Sequence, residues 1–209
     1  MLNIALAKGR LAEEAVAVLE KCGLDCSIVD MKSRKLIFAD RYNDVTFILV
    51  KPSDVPTYVE RGVADIGIVG KDTLMEQNLD LYEMLDLGIG KCRMCVAALA
   101  QKSVESASSS LLRVATKYPG VARSYYESKG VAIDVIKLNG SVELGPLVGL
   151  SDVIVDLVQS GGTLSENGLE VTEVICEISA RLIVNKVSLK TKTARITPII
   201  SAMRARLEE

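Results

Sequence analysis

The residues most able to carry chemistry lie between Asp152 and Leu164. This stretch combines a buried-strand pattern, an acid at Asp156 and a small hydroxyl and glycine turn at Ser160–Thr163. Successive backbone N–H groups in such a turn, together with its two hydroxyls, form a concave set of donors suited to a phosphate monoester. Asp156 is placed to accept hydrogen bonds from a ribose diol. A tight turn after a core strand, with Thr163 as an N-cap, explains the same residues equally well, so the turn alone identifies no substrate.

The absence of histidine limits the chemistry open to this chain. None of the 209 residues is histidine, so the usual proton-transfer side chain and the Ser/His or Cys/His nucleophile pairs are missing. Any catalysis must rest on electrostatics and positioning. Cys92 and Cys95 have CxxC spacing, but without a second such pair or a histidine a four-ligand zinc site is hard to assemble. We interpret them as packing residues, with a metal or redox role as the minor alternative.

Composition indicates a globular protein that binds anions locally. The chain is 49% hydrophobic with 25 basic and 27 acidic residues, enough for one large domain or two small ones. A near-neutral surface does not suit duplex nucleic acid. No apolar run reaches the ~20 residues of a membrane span, and the first residues enter a strand pattern directly, without a targeting segment. Five cysteines are an odd number in a chain long enough to fold without disulfides, which favours reduced thiols. We therefore expect a soluble cytoplasmic protein without nucleic-acid or membrane partners.

Strand and helix patterns alternate along most of the chain. Leu2–Ala7 has a strand pattern, Lys8–Arg10 is a loop, and Leu11–Cys22 has apolar residues at helical spacing. The same reasoning predicts strands at 45–50, 65–69, 95–99, 112–115, 133–138, 153–155 and 180–184, a hairpin through 36–38, and helices at 52–61, 119–129 and 193–207. We assign Asp72 as the N-cap of a helix that starts at Thr73, and 102–110 as an exposed polar loop or short helix.

The alternation predicts an α/β fold with parallel or mixed sheets covered by helices on both faces. A second run of strands begins after Gly90, so we expect two lobes. Residues 1–90 plus 181–209 form the first lobe and residues 91–180 the second, if the closing helix packs on the first lobe. This double crossover would leave an interlobe cleft lined by the carboxyl ends of strands, where such sheets bind ligands.

The stretch from Glu143 to Leu164 resembles the signature of the ATP phosphoribosyltransferases, and a spaced pattern this long is far more specific than a lone glycine motif. The matching residues are Glu143, Gly149, Ser151, Ile154, Asp156, Leu157, Ser160, Gly161, Thr163 and Leu164. Other segments also resemble the family: 6–11, where the family often has Pro in place of Ala7, 33–36, 51–52, 54–60, 62–72, 115–119 and 137–141. The resemblance therefore covers nearly the whole chain.

The resemblance implies a two-lobed fold related to periplasmic binding proteins and a defined reaction. ATP and phosphoribosyl pyrophosphate (PRPP) react to give N1-(5-phosphoribosyl)-ATP and pyrophosphate, the first step of histidine biosynthesis. The first-lobe side would serve ATP and pyrophosphate, and the second lobe the 5-phosphate of PRPP. The implied substrate-binding residues of the second lobe are Glu143, Asp156, Ser160, Gly161, Gly162 and Thr163, with Asp156 on the ribose hydroxyls.

The resemblance also implies that first-lobe cations receive the phosphates. Lys8 and Lys51 are the expected electrostatic catalysts that stabilise the leaving pyrophosphate, and Arg10 and Arg34 are expected to bind substrate. Taken singly, each of these cations is more simply a solvated surface charge, because Lys and Arg are mostly exposed. Only their combination with the Glu143–Leu164 pattern favours function.

A metal ion and a protein partner are implied as well. Mg²⁺ would be carried with the substrate phosphates, keeping several waters, without a dedicated protein cage. Long forms of the family carry a further histidine-sensing domain, whereas this chain ends at Glu209. It thus resembles the short form, whose implied partner is a regulatory subunit similar to histidyl-tRNA synthetase in a hetero-oligomer.

Two rival functions share these patterns. A two-lobed solute-binding or effector-binding protein would have the same alternation of strands and helices, but it would not need a phosphate-binding turn joined to Asp156. A phosphoribosyltransferase acting on a free base or amine would have that turn. The Lys8–Arg10 opening and the Gly62–Asp72 segment look more like the ATP-using family.

Overall fold

A computed structural model describes residues 1–100 and 111–208. The predicted polar loop or helix at 102–110 lies outside these residues. The described residues form, in order, β1 (Leu2–Ala7), α1 (Arg10–Lys21), β2 (Ile37–Asp40), β3 (Val45–Val50), a 3-10 turn (Pro52–Asp54), α2 (Val55–Glu60), β4 (Ile66–Gly70), α3 (Lys71–Gln77), β5 (Tyr82–Asp86), β6 (Cys92–Leu99), β7 (Leu112–Thr116), α4 (Pro119–Ser128), β8 (Ile133–Lys137), α5 (Leu144–Leu147), β9 (Val153–Val158), α6 (Gly162–Glu166), β10 (Leu169–Ile178), β11 (Ala180–Val184), α7 (Lys186–Thr191) and α8 (Thr193–Leu207).

The chain divides into two compact units. The first comprises Met1–Leu74, Asn78–Gly90 and the chain from Ser179 onward, and the second comprises Met75–Gln77 with the described part of Lys91–Ile178. Each unit has its own sheet, in the strand order β2-β3-β1-β4-β11-β5 for the first and β10-β6-β9-β7-β8 for the second. No helix in the described ranges is long and apolar enough to cross a bilayer.

The core of the first unit forms around its parallel strands. β1 pairs in parallel with β3 on one side and with β4 on the other, and Ile4, Leu6 and Phe47 have no exposed surface. Strands buried on both faces read as continuous apolar runs, which is why the sequence predicted them well. α1 contributes its buried residues Ala12, Ala15 and Leu19 at helical spacing.

Gly67 allows a helix to pack closely on this sheet. A Cβ at this position would lie 2.8 Å from Val59 Cγ2 and 2.9 Å from Val55 Cγ1, closer than carbon atoms pack. Both valines belong to α2 and are fully buried. The glycine at position 67 is therefore explained by helix–sheet packing within the first unit.

The prediction that Asp72 caps α3 is wrong. The helix begins two residues earlier than predicted, at Lys71, and the N-cap is Gly70, whose backbone is extended. Asp72 instead lies in the first turn, and its carboxylate Oδ1 occupies the space that a Cβ at position 70 would fill. A side chain at position 70 would therefore displace the Asp72 carboxylate, and an acid in the first turn complements the helix dipole.

Asp65 ties three distant segments of the first unit together. The residue is 2% exposed. Its Oδ2 accepts hydrogen bonds from the Asn3 backbone N–H at 2.8 Å and from Lys192 Nζ at 2.7 Å, and its Oδ1 accepts one from the Ser188 hydroxyl at 2.6 Å. β1, α7 and the residue before α8 thus converge on one buried carboxylate. A buried charge is tolerated when it is paired and fully hydrogen-bonded.

Asp65→Ala is expected to lower the free energy of unfolding by about 3 kcal/mol, because it leaves the buried Ser188 hydroxyl and the partly buried Asn3 N–H and Lys192 ammonium without their acceptor. Urea unfolding followed by circular dichroism would measure the change. Asp80→Ala is the matched control, since Asp80 is 80% exposed in its ion pair with Lys186, and exposed pairs contribute little. Equal effects of the two substitutions would contradict the role given to Asp65.

Candidate active site

The second unit contains a cavity at the carboxyl end of β9. Its volume is about 240 Å³, enough for a phosphate with part of a sugar. Its lining residues are Glu143, Asp156, Leu157, Val158, Gln159, Ser160, Gly161, Gly162, Thr163 and Leu164. All six substrate-binding residues predicted for the second lobe are among them. Gln159 also lines the cavity. The sequence pattern did not predict a role for this residue, although it lies inside the Asp156–Leu164 stretch.

The turn from β9 to α6 presents backbone donors to this cavity. Gly161 has a left-handed backbone with φ 82°, which turns the chain sharply so that Gly162 begins α6. The first N–H groups of a helix have no acceptor within the helix and carry a partial positive charge. The Gly162 N–H donates a long hydrogen bond to Ser160 Oγ, with N and O 3.5 Å apart, and Gly162 and Thr163 are exposed. These groups form the concave set of donors that an anion requires.

The N-cap role that the alternative interpretation gave to Thr163 is wrong, although the tight turn itself is present. If Thr163 were simply the N-cap of a helix, it would stand immediately before the first helical residue. It is instead the second residue of α6, and the cap position is held by Gly161, which has no side-chain cap bond. The Thr163 hydroxyl is therefore not used as an N-cap.

Two carboxylates stand on the wall of the same cavity. Asp156 is half-buried on β9, one residue beyond Val155, where the pairing of β9 with β7 ends. Glu143 is half-buried and immediately precedes α5. Carboxylates accept hydrogen bonds only, so this wall suits hydroxyl groups while the turn suits an anion. The cavity thus offers acceptors and donors in the combination that a phosphorylated sugar needs.

Lys8 and Lys51 lie side by side in the first unit. β1 and β3 run parallel with Ala7 opposite Val50, and the Lys8 backbone N–H donates to the Val50 carbonyl at 2.7 Å. Each lysine is therefore the first residue after its strand, at the same edge of the sheet. Both side chains are exposed. Neighbouring parallel strands deliver two cations to one place, although they are 43 positions apart in sequence.

The two predicted arginines belong to the same edge. β2 is antiparallel to β3, and the Leu49 N–H donates to the Leu36 carbonyl at 2.8 Å, so Arg34, just before β2, lies near the carboxyl end of β3. Arg10 is the first residue of α1 and forms an exposed ion pair with Glu14, with Nε 3.5 Å from Oε1. The structure therefore gathers the predicted residues into two sets, one in each unit.

The CxxC residues pack on different sides of β6. Cys95 belongs to a buried cluster with Ala97, Ile154 and Leu164, whereas Cys92 packs against the cluster that contains Met94 and Tyr118. Residues three apart in a strand point to opposite faces. Burial also raises the pKa of the Cys95 thiol, which makes it a poor nucleophile at neutral pH. The packing interpretation accounts for both residues.

The model of a known family matches most of the chain. Residues 51–205 match the family described as HisG, ATP phosphoribosyltransferase. The chain belongs to the ATP phosphoribosyltransferase family. The ATP phosphoribosyltransferase of Lachnoclostridium phytofermentans is 53% identical over 210 residues, covering 100% of this chain and 98% of the relative. That of Clostridioides difficile is 55% identical over 199 residues, covering 95% of each. The predicted enzyme class, a pentosyl-transferring enzyme of histidine biosynthesis, is confirmed.

Solved structures confirm the predicted fold class. A chain of the ATP phosphoribosyl transferase (HisG:HisZ) complex from Thermotoga maritima has a TM-score of 0.84 at 36% identity, covering 98% of this chain and 97% of that one. The periplasmic aliphatic sulphonate binding protein SsuA from Escherichia coli has a TM-score of 0.59 at 13% identity, covering 99% and 75%. This second similarity shows the fold alone, which ATP phosphoribosyltransferases share with periplasmic binding proteins.

Substitution by alanine is expected to affect stability differently at the two glycines of the turn, Gly161 and Gly162. Gly161→Ala is expected to destabilise the chain by about 1–2 kcal/mol, because an L-residue is strained in the left-handed region. Gly162→Ala should be neutral or slightly stabilising, because it replaces glycine inside a helix. Neither Cβ meets an atom closer than 3.7 Å, so conformation rather than crowding decides the outcome. Thermal unfolding of both variants would test this, and equal melting temperatures would contradict the left-handed turn.

Proposed function

We propose that the chain transfers the phosphoribosyl group of PRPP to ATP. Adenine N1 attacks C1 of PRPP with inversion, the C1–O bond breaks, and pyrophosphate leaves with the bonding electron pair. The product is N1-(5-phosphoribosyl)-ATP. The observation that carries the proposal is the cavity in which the Ser160–Thr163 turn and two carboxylates come together, in a chain whose family performs this reaction.

In this proposal the cavity of the second unit holds the phosphoribosyl half of PRPP. The N–H groups of Gly162 and Thr163, with the hydroxyls of Ser160 and Thr163, bind the 5-phosphate. Asp156 accepts hydrogen bonds from the ribose hydroxyls, and Glu143 is the second carboxylate of the sugar site. Bonds from hydroxyls to a charged carboxylate are about twice as strong as neutral ones, so Asp156 fixes the orientation of the sugar.

The cations of the first unit would receive the departing pyrophosphate. Lys8 and Lys51 are exposed on adjacent strand ends, and Arg10 and Arg34 come from the same sheet edge. In the transition state the ribosyl carbon becomes cation-like while negative charge accumulates on the leaving group. Fixed positive charges stabilise that charge without any proton transfer. Adenine N1 carries a lone pair already, so the lack of histidine is no obstacle.

Magnesium fits the same scheme as a companion of the substrates. Mg²⁺ binds through one or two carboxylates plus substrate phosphates and keeps several waters. The cavity supplies two carboxylates, Glu143 and Asp156, and no group of three or more metal-ligating acids or thiols is found among the described residues. Bound with the phosphates, the ion would neutralise charge on the leaving pyrophosphate.

We further propose a regulatory partner and a cytoplasmic location. The solved structure with 36% identity belongs to a HisG:HisZ complex. On that basis this chain is the catalytic subunit of a hetero-oligomer whose second subunit resembles histidyl-tRNA synthetase. Both substrates are metabolites of the cytoplasm, and free cysteines at positions 22, 26, 92, 95 and 176 suit a reducing compartment.

The function is tested by measuring pyrophosphate release from ATP and PRPP, with the chain alone and with the synthetase-like subunit added. Release that depends on ATP in either case is the expected result. Asp156→Asn should lower kcat/KM about 10- to 100-fold, the effect of losing a charged hydrogen bond. Glu127→Gln, at an exposed acid on α4 of the same unit, is the matched control and should leave the rate unchanged.

Three outcomes would contradict the proposal. Release with a free nucleobase but not with ATP would favour a phosphoribosyltransferase that uses another acceptor. The absence of PRPP binding in isothermal titration would favour a solute-binding protein. Wild-type turnover by Asp156→Asn would remove that residue from the sugar site.

The cations are tested by replacing each with a neutral side chain of similar length. Lys8→Met and Lys51→Met are each expected to lower kcat about 100-fold, because each removes one group that stabilises developing charge. The melting temperature should stay the same, since both side chains are exposed. Lys21→Met, at an exposed position in the last turn of α1, is the control. A wild-type kcat in both lysine variants would be evidence against electrostatic catalysis from this edge.

A further inference from the structure

Arg113 forms hydrogen bonds with the loop at residues 149–152 of the second unit, although Arg113 itself does not line the cavity. The residue is on β7. Its guanidinium donates twice to Asp152, from Nη2 to Oδ1 at 2.8 Å and from Nε to Oδ2 at 3.2 Å. Its Nη1 donates to the carbonyls of Gly149 and Leu150 at 2.8 and 3.2 Å. The backbones of Arg113 and Asp152 are bonded as well, with the Asp152 N–H 2.9 Å from the Arg113 carbonyl.

The held loop connects the two carboxylates of the proposed sugar site. Glu143 stands directly before α5, the loop follows α5, and β9 with Asp156 follows the loop. The Leu150 and Ser151 N–H groups both donate to the Gly145 carbonyl, at 2.9 and 3.2 Å, which closes the loop back onto α5. Because β9 is held by β6 and β7 on its two sides, a shift of residues 149–152 would displace α5, and with it Glu143, relative to Asp156.

Packing leaves this loop little freedom. Ser151 is 1% exposed, and its Oγ fills the space beside Gly145, 2.6 Å from where a Cβ at that position would lie. That buried Oγ has no hydrogen-bond partner among the described residues, so its place is set by packing alone. The side-chain hydrogen bonds that restrain the loop come from Arg113, whose planar fork matches a carboxylate and two carbonyls at once; they add to the backbone bonds from Leu150 and Ser151 to Gly145.

We propose that Arg113 is a positioning residue for PRPP binding: through Asp152 and the carbonyls of Gly149 and Leu150 it sets the separation of Glu143 and Asp156. The inference rests on the proposed function of the cavity. It adds a residue that touches no substrate and belongs to no recognised motif of the chain. Its effect should fall on the sugar site of the second unit and spare the use of ATP.

The first test is Arg113→Ala and Arg113→Lys in the complete enzyme. Both are expected to raise the KM for PRPP about 10- to 100-fold, because small displacements of positioning groups cost rate and affinity on this scale. The KM for ATP should stay within about twofold, since local misplacement in one unit should spare the other substrate. Lysine keeps the charge but cannot form a bidentate hydrogen bond with Asp152, so Arg113→Lys should not restore the wild-type KM for PRPP. Arg123→Ala, an exposed arginine on α4, should behave as wild type.

A double-mutant cycle with Asp156→Asn distinguishes positioning from general loss of structure. If Arg113 acts through the carboxylates, Arg113→Ala should add little to the PRPP defect of Asp156→Asn, since coupled residues are not additive. Titration of PRPP by calorimetry, well below each melting temperature, measures this directly. Should the alanine variant not fold, the lysine variant gives the same comparison.

The outcomes separate this inference from the function it rests on. A wild-type chain that neither binds PRPP nor releases pyrophosphate would overturn both. If the wild type is active, three results would contradict the role of Arg113 alone. The Arg113 variants could keep the wild-type KM for PRPP, or their KM values for PRPP and ATP could rise equally. The PRPP-binding defect of Arg113→Ala could also add fully to that of Asp156→Asn.

Discussion

The central position of β9 in its sheet is the constraint on which the candidate site depends. β9 lies between β6 and β7. Val153, Ile154 and Val155 are buried, so the first polar side chain of the strand is that of Asp156. Asp156 is the first residue beyond the pairing with β7. The turn that follows must leave the sheet at the same edge. A buried central strand thus brings an acid and the first N–H groups of α6 to one cavity, and the geometry of the strand is sufficient to explain this.

The first unit uses the same geometry to gather positive charge. Lys8 and Lys51 follow strands that pair in parallel, so two like charges stand next to one another in solvent. Like charges in proximity repel, and salt screens only part of that repulsion. An anion that binds between two such charges relieves their repulsion, which adds to its binding free energy. The placement is therefore more readily explained by binding of a polyphosphate than by stability.

Local pattern predicted much of this architecture, and its failures have physical causes. β5 and β10 were not predicted, because both are edge strands whose residues are largely exposed and lack a continuous apolar run. The N-cap was placed at Asp72 instead of Gly70, two residues earlier, because aspartate is favoured both as an N-cap and in the first turn of a helix. The contacts of Asp65 with Ser188 and Lys192 span more than 120 positions, and no local pattern encodes them. The cavity residues were predictable because they lie within 22 consecutive positions, from 143 to 164.

The chemistry also explains why precise placement matters more here than reactive side chains. A neutral nitrogen attacks and an anion leaves, so no proton has to be moved in the bond-making step, and a chain without histidine lacks nothing that the step requires. What remains is orientation, which is worth several orders of magnitude in rate only when reacting groups are held close to their productive positions. Rigid loops then become as important as the groups that touch substrate. Arg113 fits this requirement, because its guanidinium donates four hydrogen bonds to residues 149–152. In the proposed complex this segment does not contact the substrate, but it connects the two carboxylates that bind the sugar.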